Sequence, residues 1–402
     1  KVWRVYNKKY KKEYAMKEMS KKKIIDKKSV QSILNERELL SKMDHPFIIN
    51  MHFAFQDKDY IYLAMDLLTG GDLRFHLCYD KPFSEEQTKF IISNLILGLE
   101  YIHSNKIIHR DIKPENLVFD SNGYIKLTDF GIAKIQQENN KHETSGTPGY
   151  MSPEVICSQN HTVSADYFAV GVIAYELMVG HRPYVGKNRA EIREKIMSKQ
   201  ARVTRGDMPK GWSIESADFI NKLLMRKPLQ RLGANGIQEI KSHPWLKYYV
   251  WKDVYLRKVK APFIPSQNMD DNYDSNYCNF VEKLDIATQE RYNQIARSDL
   301  YLNGFNDYSY FNRYILLEKF KEHLYSNPHL IYSELEAKEK LAFNLSTEKN
   351  EKKKGHRRNL LSMNEKGIGR ILSSISSKSI GKNKLTLTAK HRKNVKSVQI
   401  GA

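Results

Sequence analysis

Residues 107–120 read IIHRDIKPENLVFD, and residues 127–134 read LTDFGIAK. The first stretch opens on apolar residues and breaks into a loop dense with charge: His109, Arg110, Asp111, Lys113, Glu115 and Asn116. Asp111 and Asn116 stand five apart in that loop. Asp129 follows 18 residues after Asp111, in a turn ended by Gly131. Either triplet, His-Arg-Asp or Asp-Phe-Gly, is a weak signal by itself. Both together, in this order and behind a strand lysine and a helix glutamate, are specific.

The lysine and the glutamate lie upstream. Residues 2–6 and 13–19 read as two strands joined by a lysine-rich turn, and alternation puts Ala15, Lys17 and Met19 on one face. Lysines are rarely buried without a partner, so Lys17 is either a snorkelling surface lysine or one end of an ion pair. Residues 29–43, SVQSILNERELLSKM, have helical spacing, with Ile33, Glu36, Leu40 and Met43 on one face. Glu36 on this apolar stripe is a solvated helix charge by itself and an ion-pair candidate beside Lys17.

Residues 48–55 and 60–68 read as a strand hairpin, and LTGGDL (68–73) as a hinge. From Ser84 the texture becomes helical. SEEQTKFIISNLILGLEYIHS (84–104) starts with a serine cap and an acidic first turn. Short strands are expected at 117–119 and 124–128, and helices at about 164–180, 189–199 and 213–225, ending near HPWL (243–246). The order is a small β-rich lobe, a hinge and a large helical lobe, with no long-period repeat.

The chain has 402 residues, 41% of them hydrophobic, enough for a sizeable core. No run approaches the 18 or more apolar residues of a membrane span. Cys78, Cys157 and Cys278 lack metal-ligand spacing and read as reduced thiols of an intracellular protein. The formal charge is +20; from Glu351 onward there are 14 Lys or Arg against two Glu, net +12. The excess therefore describes a basic tail, not a nucleic-acid-binding core.

Over roughly residues 1–246 these motifs resemble the eukaryotic protein kinases. The resemblance implies an α+β bilobal kinase fold, here without its glycine-rich loop, which would precede Val2. Either the chain is a fragment, which the missing initiator methionine favours, or the gene product lacks the loop. The implied boundaries are 1–68 for the N-lobe and 69–246 for the C-lobe. The resemblance also implies ATP and Mg²⁺ as cofactors. Lys17, paired with Glu36, would hold the α- and β-phosphates. Asp111 would be the catalytic base, Lys113 would steady the transferring phosphate, and Asn116 and Asp129 would hold the metal. Val2, Ala15, Met65, Asp66, Leu68, Asp72, Val118 and Thr128 would line the nucleotide. Phosphoryl transfer passes through a charge-spread transition state, which suits metal charge, positioning and one carboxylate base.

MDLLTGGDL, GTPGYMSPE, RLG (231–233), HPWL and KAPFIP (260–265) resemble the AGC class of serine/threonine kinases, and the hinge is similar to the "yet another novel kinase" subfamily. Lys113 points to Ser/Thr acceptors, and Ile132 after Asp-Phe-Gly to threonine. In the class, positions matching Asp72, Glu115 and Glu176 bind arginines upstream of the acceptor, while Thr147 lies on the substrate side. Asp72 has a second implied role at the ATP ribose, and each of the three is otherwise a surface carboxylate. Together they favour a basophilic kinase. Glu143 replaces the usual activating phosphothreonine and should meet Arg110 and Lys134. It is either a built-in substitute for phosphate, or Thr144 or Ser145 is phosphorylated by an upstream kinase. Glu154 should pair with Arg231.

Residues 247–315 resemble the AGC C-terminal extension, and Phe305-Asn-Asp-Tyr308-Ser309-Tyr310 its hydrophobic motif, with Ser309 phosphorylatable. Residues 316–402 are expected to be a largely disordered basic tail that contacts acidic partners or an anionic membrane surface. Within it, Arg370-Ile-Leu-Ser373 reads as a self-phosphorylation site. The expected partners are protein substrates with basic residues near Ser or Thr and an activating kinase, without specific nucleic-acid binding. The expected location is cytoplasmic, peripheral at membranes or nuclear. A pseudokinase scaffold is the competing reading, and a small-molecule kinase of the same fold is disfavoured by GTPGYMSPE.

Overall fold

The computed structural model describes residues 1–79, 82–273 and 285–312 and the strands Leu385–His391 and Asn394–Ile400. The chain forms two compact units. One comprises Lys1–Trp3 with Tyr14–Tyr310, the other Arg4–Glu13 with Phe311–Ala402.

In the first unit, the Ala15–Ser20 part of strand Lys12–Ser20 pairs antiparallel with Tyr60–Met65, placing Lys17 opposite Leu63 and Ala15 opposite Met65. Met51–Gln56 adds to the other edge of Tyr60–Met65. The period of two buries Tyr14 and Met16 and turns Lys17 to the opposite face. Helix Val30–Ser41 buries Glu36 and Leu40 of the expected stripe, with Leu39 beside them; Ile33 is half-buried, and Met43 is buried just past the helix end. A short helix, Lys21–Asp26, was not legible in the lysine-rich sequence.

Helix Glu85–Ser104 begins with a capping box: the Ser84 hydroxyl accepts from Gln87 N, and the Gln87 side chain accepts from Ser84 N. It packs against Ser164–Val179, a helix apolar on every side and so buried on every side. Helices Arg189–Ser198 and Ile214–Leu223 complete the helical lobe near their expected positions. Strands Leu117–Phe119 and Ile125–Leu127 form a ribbon beside the catalytic loop.

The hinge is fixed by a segment from far along the chain. Phe263 packs its ring against His76, Phe83 and Phe119, with centroids 5.0, 5.2 and 5.2 Å away. Asn272 Nδ2 donates to the Thr69 carbonyl at 2.9 Å. Gly71 has φ +72°, and a Cβ there would lie 2.2 Å from the Asn272 carbonyl. Only glycine meets both demands.

In the second unit, Asn7 Oδ1 closes the lysine-rich turn by accepting from the backbone of Lys9 and Tyr10. Val5–Asn7 pairs with Leu387–Ala389, and Leu385–His391 pairs antiparallel with Asn394–Ile400. Both strands lie within the stretch expected to be largely disordered. LTLTAKH and NVKSVQI alternate apolar and polar residues and are rich in Thr and Val, a strand pattern that outweighs their charge. Residues 313–384, including the Ser373 sequence, lie outside the described residues. Among the described residues, no helix is long and apolar enough to cross a membrane.

Candidate active site

The catalytic loop is held from below by Asp166, in the buried helix Ser164–Val179. Its carboxylate accepts from the backbone N–H of His109 and of Arg110, both at 2.9 Å, and meets His103 Nε2 at 2.8 Å. Burial alone would raise the Asp166 carboxyl. Its bonds to His103, with the His109 ring and amide, outweigh that and hold it below its ordinary value. Arg110 (φ 68°) and Asp129 (φ 61°) have left-handed backbones, a strain that persists only where surrounding contacts impose it. His109 Nε2 lies 3.1 Å from the Thr128 carbonyl and ties the two motifs together.

Asp111 sits at the centre. Its Oδ1 accepts from the Thr147 hydroxyl at 2.7 Å and the Thr147 N–H at 3.1 Å. Its Oδ2 accepts from Lys113 Nζ at 2.6 Å and Asn116 Nδ2 at 3.3 Å. Burial pushes this carboxyl up; Lys113 and Thr147 more than cancel it and hold it below its ordinary value. Asp111 is therefore anionic at neutral pH and can accept a proton.

Asn116 is buried, and its amide N–H groups are spent on the Asp111 carbonyl and carboxylate. That leaves the amide oxygen as its available donor to a cation. Asp129 is exposed, with Oδ1 on the Gly131 amide. One amide oxygen and one carboxylate fit Mg²⁺, which takes few protein ligands and keeps waters or phosphates for the rest.

Lys17 Nζ reaches Glu36 Oε1 at 2.9 Å and Oε2 at 3.2 Å. Desolvation would lower the Lys17 ammonium, but Glu36 and Asp129 outweigh it and hold it above its ordinary value. The glutamate's helix is anchored to the Asp-Phe-Gly turn: Ser32 Oγ donates to the Gly131 carbonyl, and Asn35 Nδ2 to that of Ala133 at 2.7 Å. Of the expected nucleotide-lining positions, Val2 is 68% exposed. The Asp66 carboxylate turns instead to Asn50, His52 and Lys126, and its backbone N–H donates to the Asn50 carbonyl at 3.1 Å. The Thr128 hydroxyl donates to the Asn116 carbonyl. Asp72 bridges to Val118 and caps the following helix through Phe75 N at 3.0 Å.

Glu143 meets both expected partners. Arg110 Nη1 donates to its Oε2 at 2.8 Å, and Lys134 Nζ to its Oε1. Thr144 is half-buried and Ser145 exposed. Arg231 forks onto Glu154 at 2.7 and 2.9 Å, both side chains buried.

The acidic cluster departs from an open site. Glu115 and Glu176 are brought together, but around a residue that sequence reading passed over. Arg74 Nε donates to Glu115 Oε1 and Nη1 to Glu176 Oε1, each at 2.9 Å. A basic residue within the apolar helix Leu73–Tyr79 was the available signal.

Phe305 and Tyr308 are buried against the small lobe. Arg37, one residue after Glu36, donates to the carbonyls of Asp307, Tyr308 and Ser309 at 2.8, 3.1 and 2.8 Å, and Gln56 to that of Phe305 at 2.6 Å. Ser309 itself is exposed.

Comparison with known proteins agrees with this geometry. The protein kinase domain model matches residues 1–246. A probable serine/threonine-protein kinase of Dictyostelium discoideum is 39% identical over 326 residues, covering 80% of this chain and 69% of that protein. Human ribosomal protein S6 kinase alpha-2 is 39% identical over 257 residues, 63% of this chain and 34% of that protein. The cAMP-dependent protein kinase catalytic subunit of D. discoideum is 35% identical over 298 residues, 73% and 44%. The chain thus spans about two thirds of the first relative and less than half of the other two. A lysine–glutamate pair, a fully hydrogen-bonded aspartate beside an asparagine and these relatives converge: the chain belongs to the protein kinase family, among its serine/threonine kinases.

Proposed function

We propose that the chain transfers the terminal phosphate of ATP to Ser and Thr hydroxyls of proteins. The carrying observation is the closed Lys17–Glu36 pair in the same molecule as an anionic, fully hydrogen-bonded Asp111. The Thr147 hydroxyl on Asp111 Oδ1 makes the contact that an acceptor hydroxyl would make. In the reaction, that hydroxyl oxygen bonds to the γ-phosphorus, the bond to ADP breaks, and Asp111 receives the proton. Lys113, 2.6 Å from Asp111, places its charge beside the phosphoryl group in flight. Lys17 holds the phosphates that stay behind. Asn116 and Asp129 would hold Mg²⁺, which supplies charge neutralisation across the phosphates.

The hinge sequence and the docked 305–310 segment support placement in the AGC class, near the "yet another novel kinase" subfamily. Glu143 stands in for an activating phosphate, and Ser309 is a site where phosphorylation would tighten docking through Arg37. Cys78 and Cys157 are free thiols, in keeping with a reducing compartment such as the cytoplasm, where the basic tail would meet acidic partners or anionic membranes. The test is phosphate transfer from ATP with Mg²⁺ to Ser and Thr peptides by the full chain and by Lys17→Met. Transfer by the wild type alone supports the reading. Nucleotide binding without transfer in the wild type would make it a pseudokinase scaffold.

A further inference from the structure

Arg74 follows the hinge and opens the helix Leu73–Tyr79. Its guanidinium spends its fork on three partners: Glu115 through Nε, Glu176 through Nη1 at 2.9 Å and Nη2 at 3.3 Å, and the Tyr150 hydroxyl through Nη2. Tyr150, in the GTPGY stretch, donates in turn to Glu176 Oε2 at 2.6 Å. Glu176 is 7% exposed at its side chain, while Glu115 is 43% exposed. The arrangement is the one that recognises a guanidinium, a planar fork between carboxylates. It is already full.

We propose that Arg74 is a specificity-determining residue, the resident occupant of the arginine subsite beside the transfer site. This rests on the kinase reading above. Glu115 lies four residues after Asp111 in the same loop, so a peptide whose hydroxyl reaches Asp111 must run past this pair. A substrate arginine arriving there meets another arginine, not two open carboxylates. To enter, it would have to displace a guanidinium already bonded to both carboxylates, so the exchange gains no ion pair that the free protein lacks. The wild type therefore discriminates weakly between arginine and a neutral residue two or three places before the acceptor. Substitution of Arg74 opens the subsite and creates that preference.

The test compares wild type, Arg74→Ala, Arg74→Lys and Arg74→Ala/Glu176→Gln as full chains. The peptide pairs differ only in Arg or Ala two and three residues before the serine. Two readouts are taken: kcat/KM, and Kd by fluorescence anisotropy for the matching peptides with Ala at the acceptor. The wild type should favour the Arg peptide by less than about fivefold, the range of a solvent-exposed ion pair. Arg74→Ala should favour it by about tenfold or more, the worth of one charge-assisted hydrogen bond. The added Glu176→Gln should erase that gain, and Arg74→Lys should fall between. A wild-type preference of tenfold or more, or an Arg74→Ala ratio equal to the wild type's, overturns the proposal. If Arg74→Ala does not fold, the wild-type ratio and Arg74→Lys still decide. Absence of transfer to any peptide would count against the kinase reading alone, because the anisotropy ratios need no catalysis.

Discussion

Arg110 and Glu143 meet at 2.8 Å, and the same guanidinium donates through Nε to the carbonyl of Ile132, directly after the Asp-Phe-Gly turn. A carboxylate thus ties the activation segment to the catalytic loop without phosphate. Glu143→Ala should lower kcat/KM roughly five- to thirtyfold, equivalent to one or two kcal/mol. Phosphatase treatment should leave the wild type unchanged. Activity lost to phosphatase, with Glu143→Ala neutral, would assign the role to Thr144 or Ser145.

The same contact sets a pH window. Burial would raise the Glu143 carboxyl, but Lys134 and Arg110 hold it below its ordinary 4.5. A depressed folded-state carboxyl adds stability above its unfolded value and loses it as pH falls through the folded value. The melting-temperature difference between wild type and Glu143→Gln should be flat from about pH 5.5 to 8 and shrink below about 4.5. A difference that grows on acidification would contradict the ion pair.

Asp111→Asn should reduce transfer by roughly 10²–10⁴-fold, the range of general base catalysis. Nucleotide affinity, read by titration with a fluorescent ATP analogue, should stay within a few-fold because no nucleotide contact is assigned to Asp111. Near-normal turnover would remove Asp111 as the base.

Phe305→Ala with Tyr308→Ala should lower activity several-fold without melting the helical lobe, since each buried ring contributes about 1.5–3 kcal/mol. Tyr308 adds a sharper case. Its hydroxyl is buried without a hydrogen-bond partner among the described residues. Tyr308→Phe should therefore preserve or improve docking, because removing an unsatisfied buried hydroxyl costs little and relieves desolvation. Protease resistance of residues 300–312 reads the outcome; a loss in Tyr308→Phe equal to that in Tyr308→Ala would show that the hydroxyl is engaged.

Arg231→Ala should destabilise the chain by about 3–5 kcal/mol by stranding the buried Glu154. Chemical denaturation measures it, and a change below about 1 kcal/mol would mean that the pair is not buried in solution.

Local patterns were the legible part. Helix Glu85–Ser104 announced itself by cap and period, and the spacing of Asp111, Asn116 and Asp129 lies within one loop and one turn. The Lys17–Glu36 contact was legible because each residue broke the pattern of its own element. Arg74 was missed because its partners stand 41 and 102 residues away, and its place in an apolar helix was the one local signal. Asp166 was passed over for the same reason, although an aspartate within an apolar helix is a visible anomaly. The strands at 385–400 were hidden by a reading that weighed charge above alternation.

The Gly71–Asn272 approach carries a consequence for synthesis of the chain. A hinge whose backbone is held by a residue 201 positions later cannot reach its final geometry until that residue has left the ribosome. The protein kinase domain match ends at residue 246. A nascent chain stopped there would carry both lobes joined by an unclamped connection, with the aromatic slot of His76, Phe83 and Phe119 open to water. Chaperone demand during translation should therefore peak after residue 246 has emerged and fall once the segment through Asn272 closes over that aromatic slot.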